Sequence, residues 1–73
     1  MFHPGIYRHY KGKLYHAFGV ALHSETREEM IVYRELYGDY GLSVRPRAMF
    51  EEDVETDGKT MPRFELIQEV NNG

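Results

Sequence analysis

Leu14-Tyr15-His16-Ala17-Phe18-Gly19-Val20-Ala21-Leu22-His23 is the stretch whose reading decides the fold. Leu14, Phe18, Val20 and Leu22 fall on one parity, and Tyr15, Ala17, Gly19 and Ala21 on the other. Successive side chains of a strand face opposite sides of a sheet, so both sides of this strand are apolar. A long strand of that kind with a glycine at its middle is expected to bend, because glycine lets the backbone kink or another strand approach closely. Bends of this sort are how a small sheet turns a corner and encloses a core.

Outward from that strand the punctuation continues in short β units. Upstream, Gly5 to Tyr10 is rich in aromatic and β-forming residues and stops at Lys11-Gly12, which reads as a tight turn. Downstream, the polar run Ser24 to Glu29 reads as a surface loop, and Met30 to Tyr37, with its β-branched pair and two tyrosines, as another strand. Gly38-Asp39-Tyr40-Gly41 makes a turn, and Leu42 to Arg45 a short strand ended by Pro46. Arg47 to Phe50 suits one helical turn. Asp53 to Thr56, a turn at Asp57-Gly58, and Lys59 to Ile67 form the clearest hairpin, with Pro62 making the last strand an edge or breaking it.

These elements predict an all-β domain, a small SH3-like barrel or roll of five to six bent strands with one short helical turn. A chain of 73 residues supports one core and buries roughly 60% of its unfolded surface. A single domain over 1–73 is expected, ordered from about 4 to 67 and frayed from 68 to 73. At 41% hydrophobic and 29% charged, the composition is that of a folded protein. There are no cysteines, so stability rests on packing, and the expected address is cytoplasmic. No apolar run approaches the ~20 residues of a membrane-spanning helix. The net charge of −3 makes nucleic acid the weakest of the partner readings.

Pro4-Gly5-Ile6-Tyr7-Arg8-His9-Tyr10-Lys11-Gly12, Tyr15, Gly19-Val20-Ala21, His23-Ser24-Glu25-Thr26, Val32-Tyr33, Leu36-Tyr37-Gly38, and Val44-Arg45-Pro46 with Met49-Phe50 form one string of motifs. The string resembles the short bacterial family known as domain of unknown function 1653, from Pro4 to about Phe64. The resemblance implies a bacterial intracellular protein of compact β structure and brings no activity with it. It also implies a large aromatic immediately before Val44-Arg45-Pro46, where this chain has Ser43.

Among residues able to do chemistry, His3, His9, His16 and His23 invite a metal reading, but their spacing lacks the short repeats of zinc sites, and no metal or other cofactor is expected. A two-residue turn at Lys11-Gly12 would pair Tyr7 with His16 and place Tyr7, His9 and His16 on one face. Ser24 and Thr26 suit turn formation better than a nucleophile's role. Tyr15 and Tyr33 read as core, whereas Tyr10, Tyr37 and Tyr40, near turns, read as an aromatic cage or peptide groove with Asp39. Arg45 reads either as an anchor for an acidic group or as a partner of Glu51 and Glu52. The expected ligand-binding set is therefore Tyr10, Tyr37, Asp39, Tyr40 and Arg45, on a non-catalytic protein- or peptide-binding module. The rivals are a small enzyme or ligand-binding protein using His9 or His23, a structural homodimer and a weak nucleic-acid binder.

Overall fold

A computed structural model describes residues 1–70. The chain runs β1 (Gly5–His9), β2 (Leu14–Leu22), β3 (Glu29–Glu35), β4 (Leu42–Pro46), α1 (Arg47–Phe50), β5 (Asp53–Thr56), β6 (Lys59–Pro62) and β7 (Phe64–Glu69). Five strands form an antiparallel sheet in the order β4-β3-β2-β1-β7, and β5 and β6 form a separate hairpin. The expected all-β class and its single helical turn are present, with seven strands among the described residues in place of five to six. The expected barrel is not closed, because β4 and β7 remain edges. Pro62 explains the extra strand: it ends β6, and the chain re-enters the other sheet at Phe64.

β2 bends as its composition predicts. The register with β3 shifts between Ala17, opposite Tyr33, and Gly19, opposite Val32, so Phe18 is the extra residue of a bulge. The bulge swaps parity. Tyr15 and Ala17 face the core before it, whereas Val20, opposite the buried Ile31, shares the core face after it. That is why both parities of β2 are apolar. The expected close approach of another strand at Gly19 is absent, since a Cβ built there meets nothing within 4 Å. The close approach is instead at Gly5, where a Cβ would stand 2.3 Å from the Gln68 carbonyl oxygen.

The β1–β2 turn departs from the two-residue expectation. Gly12 N–H donates to the His9 carbonyl at 2.7 Å, His9 N–H donates to the Lys13 carbonyl at 2.8 Å, and Gly12 has φ +108°. The loop is thus Tyr10-Lys11-Gly12, a form in which glycine takes the positive φ. Tyr7 consequently faces Tyr15, and Ile6 faces His16. One residue of register sends a side chain to the other face. His16 therefore leaves Tyr7 and His9 and packs on Phe18 at 4.4 Å. Asp57 and Gly58, with φ of 52° and 75°, make the last hairpin turn as expected.

The core consists of Tyr7, Ala17, Ile31, Tyr33, Phe50 and Phe64, with Phe2 and Tyr15 packed against it. Phe50, the last residue of α1, is 2% exposed and stacks on Phe64 at 4.1 Å and 4°. Tyr33 of β3 also reaches Phe64 of β7 at 6.0 Å, although β2 and β1 lie between their strands. Paired strands are spaced by about 4.8 Å, so such a contact requires the sheet to roll around its aromatic face.

The expected frayed tail begins too early. Gln68 and Glu69 pair with Ile6 and Gly5, and Val70 N–H donates to the Pro4 carbonyl at 3.0 Å. At the other end Phe2 stacks on Tyr7 at 5.8 Å. The remainder of the predicted tail, Asn71 to Gly73, lies outside the described residues. No helix among the described residues is long and apolar enough to cross a membrane.

Candidate functional site

Phe64 is the hinge of the site because β7 begins there, directly opposite His9 of β1. Its ring meets His9 at 4.9 Å and Tyr15 at 5.4 Å, both edge to face. The Arg45 guanidinium approaches the same ring at 5.4 Å. A cation over a ring face is attracted by the ring's quadrupole. Arg45 comes from β4, opposite Ile31, so the two sheet edges meet through side chains where their backbones do not.

Tyr15 extends the site toward the Gly38 turn. Its ring lies 5.5 Å from that of Tyr37, and the two hydroxyls are 2.8 Å apart. Burial and the hydrogen bond to Tyr37 push the Tyr15 hydroxyl above the ordinary tyrosine range, so it stays protonated and able to donate. Lys13 places its ammonium 4.2 Å from the Tyr37 ring centroid. Ser43 faces inward with Tyr33 and donates to Glu35 at 3.4 Å, so the position where the family resemblance implies an aromatic is polar here.

Burial and positive neighbours together favour neutral His9. Burial pushes its imidazole pKa below the ordinary value, and Arg45, Arg63 and Lys11 push it further the same way. The arginines differ in how they are neutralised. Arg63 donates to Glu52 at 2.5 Å, and Arg47 donates to Glu51 and to Glu29 at 3.1 Å each. The sequence reading offered Glu51 and Glu52 to Arg45. Neighbouring arginines take both, and Arg45 has no acidic partner among the described residues. The Nε atoms of Arg45 and Arg63 are buried without a hydrogen-bond partner among the described residues, a costly state for a charged donor.

Of the expected binding residues, Arg45 and Tyr37 join this constellation through Phe64 and Tyr15. Tyr10 joins it through His9, whose ring lies 4.6 Å away. Tyr40 and Asp39 do not close a cage. Tyr40 is exposed and contributes its carbonyl to Arg34 at 2.6 Å, and Asp39 makes no hydrogen bond or ion pair among the described residues. Gly38 and Tyr40, at φ 58° and 56°, turn the chain there between β3 and β4. Sequence reasoning missed His9, Tyr15, Arg63 and Phe64 as one group. The available signal was Arg63-Phe64 directly after the strand-breaking Pro62.

The remaining candidates have structural partners. His23 Nδ1 accepts the backbone N–H groups of Glu25 and Thr26 at 3.1 and 3.3 Å, and Thr26 Oγ1 accepts that of Glu28 at 3.2 Å. His23 therefore organises the β2–β3 loop. His3 pairs with Glu69 at 3.0 Å. Among the described residues no group of three or more His, Asp or Glu side chains could hold a metal ion. A cleft of about 330 Å³ lies against Phe2, Tyr7, Phe50, Pro62 and Leu66 and shares Phe64 with this site.

The fold and this cluster define a class: small all-β domains with a rolled antiparallel sheet closed at one end by arginine and aromatic side chains. The chain belongs to the family DUF1653, described as a protein of unknown function, whose profile matches residues 5–66. It is similar to the crystal structure of a protein of that family from Bordetella bronchiseptica, at 40% identity and a TM-score of 0.87, covering 99% of this chain and 95% of that one. Among curated proteins none matches.

Proposed function

We propose that this domain is a non-catalytic binding module that holds a protein or peptide segment across the Arg45, Phe64, Tyr15 and Tyr37 end of its sheet. The observation behind the reading is a partly buried Arg45 guanidinium, without an acidic partner among the described residues, resting on an aromatic ring. Planar aromatics with polar tips beside an arginine are the residue types that dominate protein recognition surfaces. Tyr10 would form one flank of the contact and Tyr37 the other, with Asp39 and Tyr40 at its outer margin. The compartment that goes with this reading is a reducing bacterial cytoplasm, which a cysteine-free chain suits.

A displayed peptide library panned on the immobilised domain tests the proposal. Enriched peptides, titrated into isotopically labelled protein, should shift resonances of Arg45, Phe64, Tyr15 and Tyr37. Tyr37→Ala should lose that binding while keeping its circular dichroism spectrum. The reading fails if no peptide is enriched, or if the shifts map to the opposite sheet face.

That opposite face supports a second reading, a homodimer. The edge strand β4 exposes Leu42 and Val44 at 58% and 57%, and an open, apolar edge is a template for pairing with another chain. Sedimentation over a concentration series separates the two: a dimer dissolved by Val44→Glu would favour this reading.

A further inference from the structure

Resting on the binding-module reading, we infer that the group this site takes from its partner is a peptide carboxylate, seated on the Arg45 guanidinium beside Phe64. The inference starts from charge allocation. Glu29 and Glu51 occupy Arg47, and Glu52 occupies Arg63. Arg45 is left with its charge uncompensated by any ion pair among the described residues and with its Nε shut away from solvent. A guanidinium in that state offers its terminal N–H groups as a planar fork, which matches a carboxylate better than a neutral amide. Partial burial strengthens the pairing, because the local dielectric is below that of water.

The surroundings select among anions. Arg63 and Lys11 add positive potential at His9, and Lys13 lies over Tyr37. Glu52 and Glu35 stand in the same cluster, one on Arg63 and the other on Ser43, and the chain as a whole is at −3. One unneutralised guanidinium framed by carboxylates suits a single negative charge, whereas a polyphosphate backbone would meet repulsion on either side. The rings of Tyr15, Tyr37 and Tyr10 provide the apolar surface that an aromatic or aliphatic side chain next to the carboxylate would cover.

The test compares small probes on the full chain by nuclear magnetic resonance titration. Acetyl-Tyr-Glu-Tyr-amide presents a side-chain carboxylate, acetyl-Tyr-Gln-Tyr with a free C-terminus a terminal one, and acetyl-Tyr-Gln-Tyr-amide none; inorganic phosphate is the fourth probe. At least one carboxylate peptide should bind tenfold or more tightly than the neutral peptide, with shifts at Arg45, Phe64 and His9, and the stronger arm identifies the source of the carboxylate. Arg45→Gln should erase that preference, bringing charged and neutral peptides to the same affinity, and Arg45→Lys should retain part of it. Because the comparison of probes on the unaltered chain needs no variant, a misfolded Arg45→Gln leaves the result decisive. Equal binding of charged and neutral peptides would overturn the carboxylate inference and leave the module reading standing. Phosphate matching the best peptide would overturn it in favour of a general anion site. Failure of every probe and of every library-selected peptide would overturn both.

Discussion

The Arg45 guanidinium lies 5.4 Å from the Phe64 ring centroid and so joins β4 and β7, the two edge strands of the sheet. Backbone hydrogen bonds do not close the sheet, and this side-chain contact, together with the Phe50 ring stacked on Phe64 at 4.1 Å, holds it rolled. Stability and the candidate binding surface therefore depend on the same few rings.

Phe64→Ala should destabilise the domain by about 3–5 kcal/mol, the usual cost of removing a buried phenyl ring, since Phe64 is 6% exposed and contacts five other rings or cations of the core and site. A small domain has only about 5–15 kcal/mol in total. Urea unfolding should show a large fall in midpoint, and a fall of less than about 1 kcal/mol would mean that the rings do not hold the roll.

Gly5→Ala and Gly19→Ala should both destabilise, by different routes. At Gly5 the added methyl would collide with the Gln68 backbone carbonyl, so β7 must shift, whereas at Gly19 the space is open but the φ of +159° is strained for any side chain. Overpacking of this kind costs about 1–3 kcal/mol. Hydrogen exchange would localise the effect: Val70 N–H, bonded to the Pro4 carbonyl, should lose protection first in Gly5→Ala.

Tyr37→Phe should cost about 1 kcal/mol through loss of the partly buried hydroxyl pair with Tyr15. Tyr37→Ala should cost more, because it also removes the ring contact with Tyr15 and the seat of the Lys13 ammonium. Thermal unfolding of the two variants checks the order, and equal losses would show that the hydroxyl pair alone matters.

His9 makes stability pH-dependent in a known direction. Its folded pKa is lowered from the ordinary 6.5, first by burial and then by Arg45, Arg63 and Lys11. In the window between the lowered value and 6.5 the unfolded chain binds more protons, so this contribution is complete above 6.5 and lost as pH falls through the folded pKa. Urea midpoints measured from pH 7.5 down to pH 5 should drop less steeply for His9→Gln than for the unaltered chain. Parallel profiles would remove His9 as the source.

Much of the architecture was written locally. The β-branched pair and tyrosine of β3, the Asp57-Gly58 turn with its two positive φ values, and the helical turn ending in Phe50 depend on near neighbours; the two turns appear where their residues predict them, and β3 runs from Glu29 to Glu35 within two residues of the expected Met30 to Tyr37. The apolar residues on both parities of β2 likewise announced a bend at its middle. Tyr33 could be read as core, because a tyrosine amid β-branched residues has an apolar face to bury.

What local chemistry could not decide was register and allegiance. A loop of Tyr10-Lys11-Gly12 instead of Lys11-Gly12 moved His16 to the outer face, and either loop is open to a chain with glycine at that position. That Arg45 goes without Glu51 or Glu52 was settled by competition: those two carboxylates lie beside Arg47 and Arg63, and Arg45 is carried to Phe64 by a strand at the other edge of the sheet. The sequence by itself determined an all-β chain with one aromatic core, because turn preference and alternation act over a few residues. Only the tertiary structure decided which side chains meet, because that depends on the pairing of distant strands and on which of several equivalent charges comes within reach first.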